Sequence, residues 1–124
     1  MFRKSAFILA FTAFSCFSGC AMLEPVEEKT PVFKSSTELY NKALDYYQKG
    51  RYAQARELFG QYVAQYPDSE LFKVALYYSG HCYQKLGDKK EALVIYNRVV
   101  AMYGDEDFWG EQAFKRIKQI KGEQ

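Results

Sequence analysis

Two stretches of this chain follow one pattern, set 37 residues apart: Leu39 recurs as Leu76, Ala43 as Gly80, Tyr46 as Tyr83 and Gly50 as Gly87. Ala55 recurs as Ala92, Phe59 as Tyr96, Tyr66 as Tyr103 and Asp68 as Asp105. Self-similarity at this period marks a stacked array, in which each unit buries its apolar side only against its neighbour. Leu39, Ala43 and Tyr46 are spaced three or four apart, as are Ala55, Leu58, Phe59 and Tyr62, so each unit reads as two amphipathic helices. Gly50 and Gly87 supply the positive φ that closes the first helix of each pair. Pro67 stops the second helix of the first unit. Small residues (Ala43, Ala55, Gly80, Ala92) let two helices approach, and large aromatics (Tyr46, Phe59, Tyr83, Tyr96) fill the remaining space.

Capping signals fall at the same seams. Ser35-x-x-Glu38 fits a capping box for the first helix, Asp68-Ser69-Glu70 is expected to open the third, and Asp105-Glu106-Asp107 the last. Past the second unit the register continues. Phe108-Trp109 echoes Leu71-Phe72, and Ala113, Ile117 and Ile120 echo Leu76, Gly80 and Tyr83. Lys115, Lys118 and Lys121 make the other side polar, as a solubilising cap requires. The expected domain is therefore residues 36–121, with repeats over about 36–69 and 73–106 and a cap helix over 107–121.

These residues reach a family. The order small–Tyr–Gly–Ala–aromatic–Pro in Ala43, Tyr46, Gly50, Ala55, Phe59 and Pro67 resembles the tetratricopeptide repeat, and Gly80, Tyr83, Gly87, Ala92 and Tyr96 match it again. Gly104 stands where Pro is usual. The family's usual period is about 34 residues, so the units here are longer. Lengthened repeats with a link like Tyr66-Pro67-Asp68-Ser69 resemble those of the β-barrel assembly machine lipoprotein and the Tol-Pal-associated cell-division coordinator. The resemblance implies an all-α superhelix of two helix pairs plus a C-terminal capping helix.

The N-terminus reads as an address. Arg3 and Lys4 precede an uncharged apolar run from Ala6 to Phe17, the layout of a secretory signal peptide. Phe17-Ser18-Gly19-Cys20 resembles the lipobox of bacterial lipoproteins, which implies removal of residues 1–19 and a lipid on Cys20. An uncleaved anchor is the rival, since Ser5–Leu23 could just span a bilayer. Ala21, in place of the Asp that retains such proteins at the inner membrane, implies the outer membrane, with the domain facing the periplasm. Residues 20–35, with Pro25 and Pro31 and no helical or strand period, are read as lipidated Cys and flexible tether.

Charge and composition narrow the functions. Without the leader, 15 basic residues face 15 acidic ones, which leaves no basic excess for nucleic acid. No nucleophile–base pair with a plausible context is visible, and His81 is the only histidine, so no two-His metal site forms within one chain. Gly50, Gly87 and Gly104 stand singly, not in a phosphate-binding loop. The reading is of a protein that is not an enzyme and needs no cofactor or metal. Cys82, the one cysteine left in the processed chain, takes a packing position and is expected to be buried.

What remains is a surface. The first helix of each pair should line a concave face bearing Tyr40, Leu44 and Tyr47 from the first unit and Val74, Tyr77, His81 and Lys85 from the second. Tyr offers area and a hydroxyl at low entropy cost, which suits capture of a peptide segment. The family's Lys–Asn–Arg carboxylate clamp is not visible, so the ligand need not be a C-terminal carboxylate. The expected function is an outer-membrane lipoprotein adaptor, held by the lipid on Cys20, that binds another envelope protein during envelope assembly or maintenance. The alternative is a self-associating lipoprotein whose aromatic face is a homodimer interface.

Overall fold

The computed structural model describes residues 32–123; the leader, Cys20 and the tether up to residue 31 lie outside the described residues. Those described form five helices and no strand: α1 (Ser36–Gln48), α2 (Tyr52–Gln65), α3 (Phe72–Lys85), α4 (Lys89–Tyr103) and α5 (Phe108–Lys121). Each helix packs against the next, and α3 also meets α5. This is the all-α superhelix of two helix pairs and a capping helix that the repeat predicts.

The two pairs turn in the same way. At the end of α1 the Arg51 N–H donates to the Tyr46 carbonyl at 2.8 Å, with Gly50 at φ 72°. At the end of α3 the Asp88 N–H donates to the Tyr83 carbonyl at 2.9 Å, with Gly87 at φ 83°. Both are left-handed helix closures that an L side chain would strain, which is why Gly recurs at this offset. Gly80 serves another purpose. A Cβ there would lie 3.1 Å from both Ile95 Cγ2 and Tyr96 Cε1, so α3 and α4 approach more closely than an alanine comfortably allows.

Two buried clusters result, and α3 feeds both. Leu39, Ala43, Ala55, Leu58, Phe59 and Tyr62 take Ala75 and Cys82 from one side of α3. On its other side, Leu76 and Tyr77 join Ala92, Tyr96, Val99 and, from α5, Ala113 and Ile117. Val63 and Tyr78 pack against both clusters and join them. Cys82 is fully buried, and burial pushes its thiol up to about 12, so it is a core residue without nucleophilic character.

The register also explains the outer side of α1. Glu38, Asn41, Lys42 and Asp45 stand at the positions of Ala75, Tyr78, Ser79 and Cys82 in α3. On α3 those side chains are covered wholly or in part; on α1 their polar counterparts line a shallow, open depression with Phe33 and Thr37.

Two helix starts depart from expectation. Ser35 caps α1 by accepting from the Glu38 N–H at 3.1 Å, but Glu38 reaches back to the Lys34 N–H at 2.9 Å, one residue beyond the capping-box partner. Asp68 does not open α3. Residues 66–72 first make two overlapping turns (Ser69 N–H to Tyr66 O, 3.2 Å; Phe72 N–H to Ser69 O, 3.0 Å), which delays the helix to Phe72. Ser69 holds this link: its hydroxyl bonds to the Tyr62 hydroxyl at 2.5 Å and accepts from the Leu71 N–H at 3.2 Å. Asp107 caps α5 as expected, accepting from the Trp109 and Gly110 N–H groups at 3.0 and 3.4 Å.

Candidate functional site

One turn of helix separates Tyr40 from Leu44 on α1, and likewise Tyr77 from His81 and His81 from Lys85 on α3. The face expected to bind is thus built by two helices that share a register. Tyr40, Leu44, Tyr47 and Val74 are half-buried, and Lys85 is exposed. Tyr77 and His81 differ from the surface residues that the sequence led us to expect: they are 5% and 7% exposed. The reason is α5. Trp109 lies 5.1 Å from the Tyr77 ring, and Arg116 Nε donates to the Tyr77 hydroxyl at 3.2 Å, so α5 covers the middle helix while nothing comparable covers Tyr40.

The aromatic rings form a continuous bed. Tyr40 sets its edge against Phe59 at 5.9 Å and Tyr62 at 5.6 Å. Phe59 stacks on Tyr78 at 5.5 Å, and Tyr78 meets Tyr47 edge-on at 4.8 Å. Tyr77 touches Tyr78, His81 and Tyr96. Such pairs add to plain area burial and hold each ring at a fixed angle.

One hydrogen bond ties the two units at this face. The Tyr47 hydroxyl lies 2.5 Å from His81 Nδ1. Burial, then the charges of Arg116 and Lys85, push His81 down to about 4, so the ring is neutral at pH 7. Burial first, then the neighbouring Tyr78, pushes the Tyr47 phenol up to about 12. Tyr40 is raised chiefly by burial as well. Two neutral groups therefore share one hydrogen, and this bond positions Tyr47 without adding charge.

The structure brings Tyr47, Tyr77 and His81 into contact. Tyr40 and Leu44 pack on the first cluster, and Val74 and Lys85 lie near opposite ends of α3. Two residues of this face, Phe114 and Arg116, have no place in the expected set. Phe114, 40% exposed, stands 37 residues beyond Tyr77 and so completes the series Tyr40–Tyr77–Phe114. Arg116 and Trp109 close over Tyr77. The offset could have revealed Phe114; the approach of Arg116 has no sequence signal. Among the described residues no three His, Cys, Asp or Glu side chains come together as a metal site. The face offers contact area, hydroxyls and cations.

Comparison with known families decides what this arrangement is. A tetratricopeptide-repeat profile matches residues 35–105, more than half of the 124-residue chain. The chain belongs to the tetratricopeptide-repeat family. Among curated proteins and among solved structures, nothing matches it. The matched span takes in both tetratricopeptide units, α1–α2 and α3–α4, and ends before α5. Tetratricopeptide repeats suggest a role in protein–protein interaction rather than catalysis, and the bed of half-buried tyrosines fits such a role.

Proposed function

We propose that this tetratricopeptide-repeat protein is a non-catalytic lipoprotein adaptor, held at the outer membrane by a lipid on Cys20, that binds a segment of another envelope protein on the face of α1 and α3. One observation carries the binding reading. Tyr40, Leu44 and Tyr47 form a half-exposed aromatic and aliphatic row, in which Tyr47 is held from below by half-buried Tyr78 and buried His81. Rigid aromatic side chains with hydroxyls at their tips bind peptides at low entropy cost. The lipid reading rests on Ser18-Gly19-Cys20 after an uncharged apolar run. The envelope reading rests on the lengthened repeat with its Tyr-Pro-Asp-Ser link. Outer-membrane protein insertion, Tol-Pal-linked division and secretin piloting are the processes that it brings forward.

The test is in-cell photocrosslinking from Tyr40 and Leu44, which are half-exposed, with Arg98 on exposed α4 surface as the control. One envelope protein captured from Tyr40 and Leu44 but not from Arg98 is the expected result. Capture of a second copy of the chain would replace the adaptor by a dimer, and equal capture from all three positions would remove the binding face. For the lipid, labelling with an acyl analogue should be lost in Cys20→Ser.

A further inference from the structure

The candidate face is graded in charge. At the α1 end it carries Tyr40, Leu44 and Tyr47 and no cation. At the α5 end four cations gather. Arg116 reaches Tyr77 at 3.2 Å, Lys85 lies one turn beyond His81, Lys118 stands 4.7 Å from the Phe114 ring centroid, and Lys121 follows it. Arg116 and Lys85 both press on the His81 titration, so their charges converge on one place.

None of the four is in an ion pair among the described residues, where the pairs are Lys42 and Lys49 with Asp45, Lys73 with Asp107, and Lys115 with Glu111. Glu111, the acid in this register on α5, is thus taken by Lys115 at 2.7 Å. Arg116 gives Nε to Tyr77 and one Nη to Gln119 at 3.4 Å, which leaves further guanidinium donors unused. Lysines in a last helical turn offset the helix dipole. Yet α1, α2 and α4 carry no basic residue in their last turns, so the concentration belongs to α3 and α5, the far end of this face from α1.

We propose that the segment bound here is an acidic peptide, with apolar side chains on Tyr40, Leu44 and Tyr47 and carboxylates among Lys85, Arg116, Lys118 and Lys121. This rests on the binding reading above and specifies the partner. An apolar peptide without acids would leave four cations beside a filled groove, whereas Glu or Asp side chains gain charge-assisted bonds, bidentate ones at Arg116.

The test uses the full chain and a labelled, amidated peptide with a Phe/Leu half followed by a Glu half. Its twin carries Gln for every Glu. Anisotropy should show the Glu peptide binding at least about tenfold more tightly than the twin at low salt, with the gap shrinking as salt screens it. The triple variant Lys85→Gln, Lys118→Gln, Lys121→Gln should close the gap, while Lys42→Gln on the far side of α1 leaves it intact. Helical circular dichroism confirms that each variant is folded. Equal affinity for both peptides would overturn the acidic assignment and leave the groove standing. Binding of neither peptide would overturn it too, and crosslinking from Tyr40 would then judge the groove by itself.

Discussion

The carbonyl oxygen of Gly104 occupies the place where a side chain on Gly110 would begin: a Cβ there would lie 1.6 Å from that oxygen. Gly104 ends α4 with φ 74°, and the first turn of α5 passes directly over it. The clash is with backbone, so no rotamer relieves it. Gly110→Ala should destabilise the domain by about 3 kcal/mol or more, since overpacking against rigid neighbours has that scale. Urea unfolding followed by circular dichroism measures it. A loss below about 1 kcal/mol would mean that α5 docks differently.

Gly60 gives the opposite sign. It lies mid-way along α2, is exposed, and a Cβ there would meet nothing within 4 Å. Gly60→Ala should therefore raise stability by about 0.5–1 kcal/mol through helix propensity alone. The urea midpoint should rise with an unchanged slope.

Acid should act through His81 before it acts through the carboxylates. The buried ring titrates at about 4, against about 6.5 in an unfolded chain. Its neutral form therefore contributes stability in full above pH 6.5, and this is lost as pH falls through that window toward 4. The slope contributed by one such group cannot exceed about 1.4 kcal/mol per pH unit. Asp107 and Asp45, each held below the usual carboxylate range chiefly by a lysine bond, lose their contribution only at lower pH. Melting temperatures between pH 7 and pH 4.5 should fall in the wild type and fall less in His81→Phe. Parallel decline in both would place the acid sensitivity elsewhere.

Asp107 joins two neighbours that Lys73 does not. One carboxylate oxygen caps the α5 N–H groups, and the other bonds Lys73 Nζ at 2.7 Å. Lys73 also stands over the Tyr103 ring at 4.9 Å. Asp107→Ala should lower the melting temperature more than Lys73→Ala, and the double variant should lose little beyond Asp107→Ala. The reverse order would assign the seam to Lys73 and Tyr103.

The repeat was legible because packing positions must recur. Leu39 and Leu76, Ala43 and Gly80, and Phe59 and Tyr96 meet equivalent neighbours in both units, so their offset survives as sequence. The degree of cover was not legible. Tyr40 and Tyr77 hold the same register position, yet only Tyr77 has Trp109 and Arg116 above it. Cover depends on the next helix, and a register states direction alone. Phe114 escaped notice because the lysines around it made that side of α5 read as a solvated face. The start of α3 was misplaced because Ser69 answers to Tyr62, seven residues earlier, and no local capping rule looks that far.

The chain has one tryptophan, and Trp109 rests 5.1 Å from Tyr77 and 5.9 Å from Tyr78, where the capping helix meets the second unit. Light absorbed by these tyrosines passes efficiently to the indole at such separations, and indole emission shifts to the red when water reaches the ring. The protein thus carries its own optical gauge at the α3–α5 seam. Undocking of α5 will quench the transfer and redden the emission while α1 and α2 are still helical, so departure of the cap can be timed separately from collapse of the array without attaching any dye.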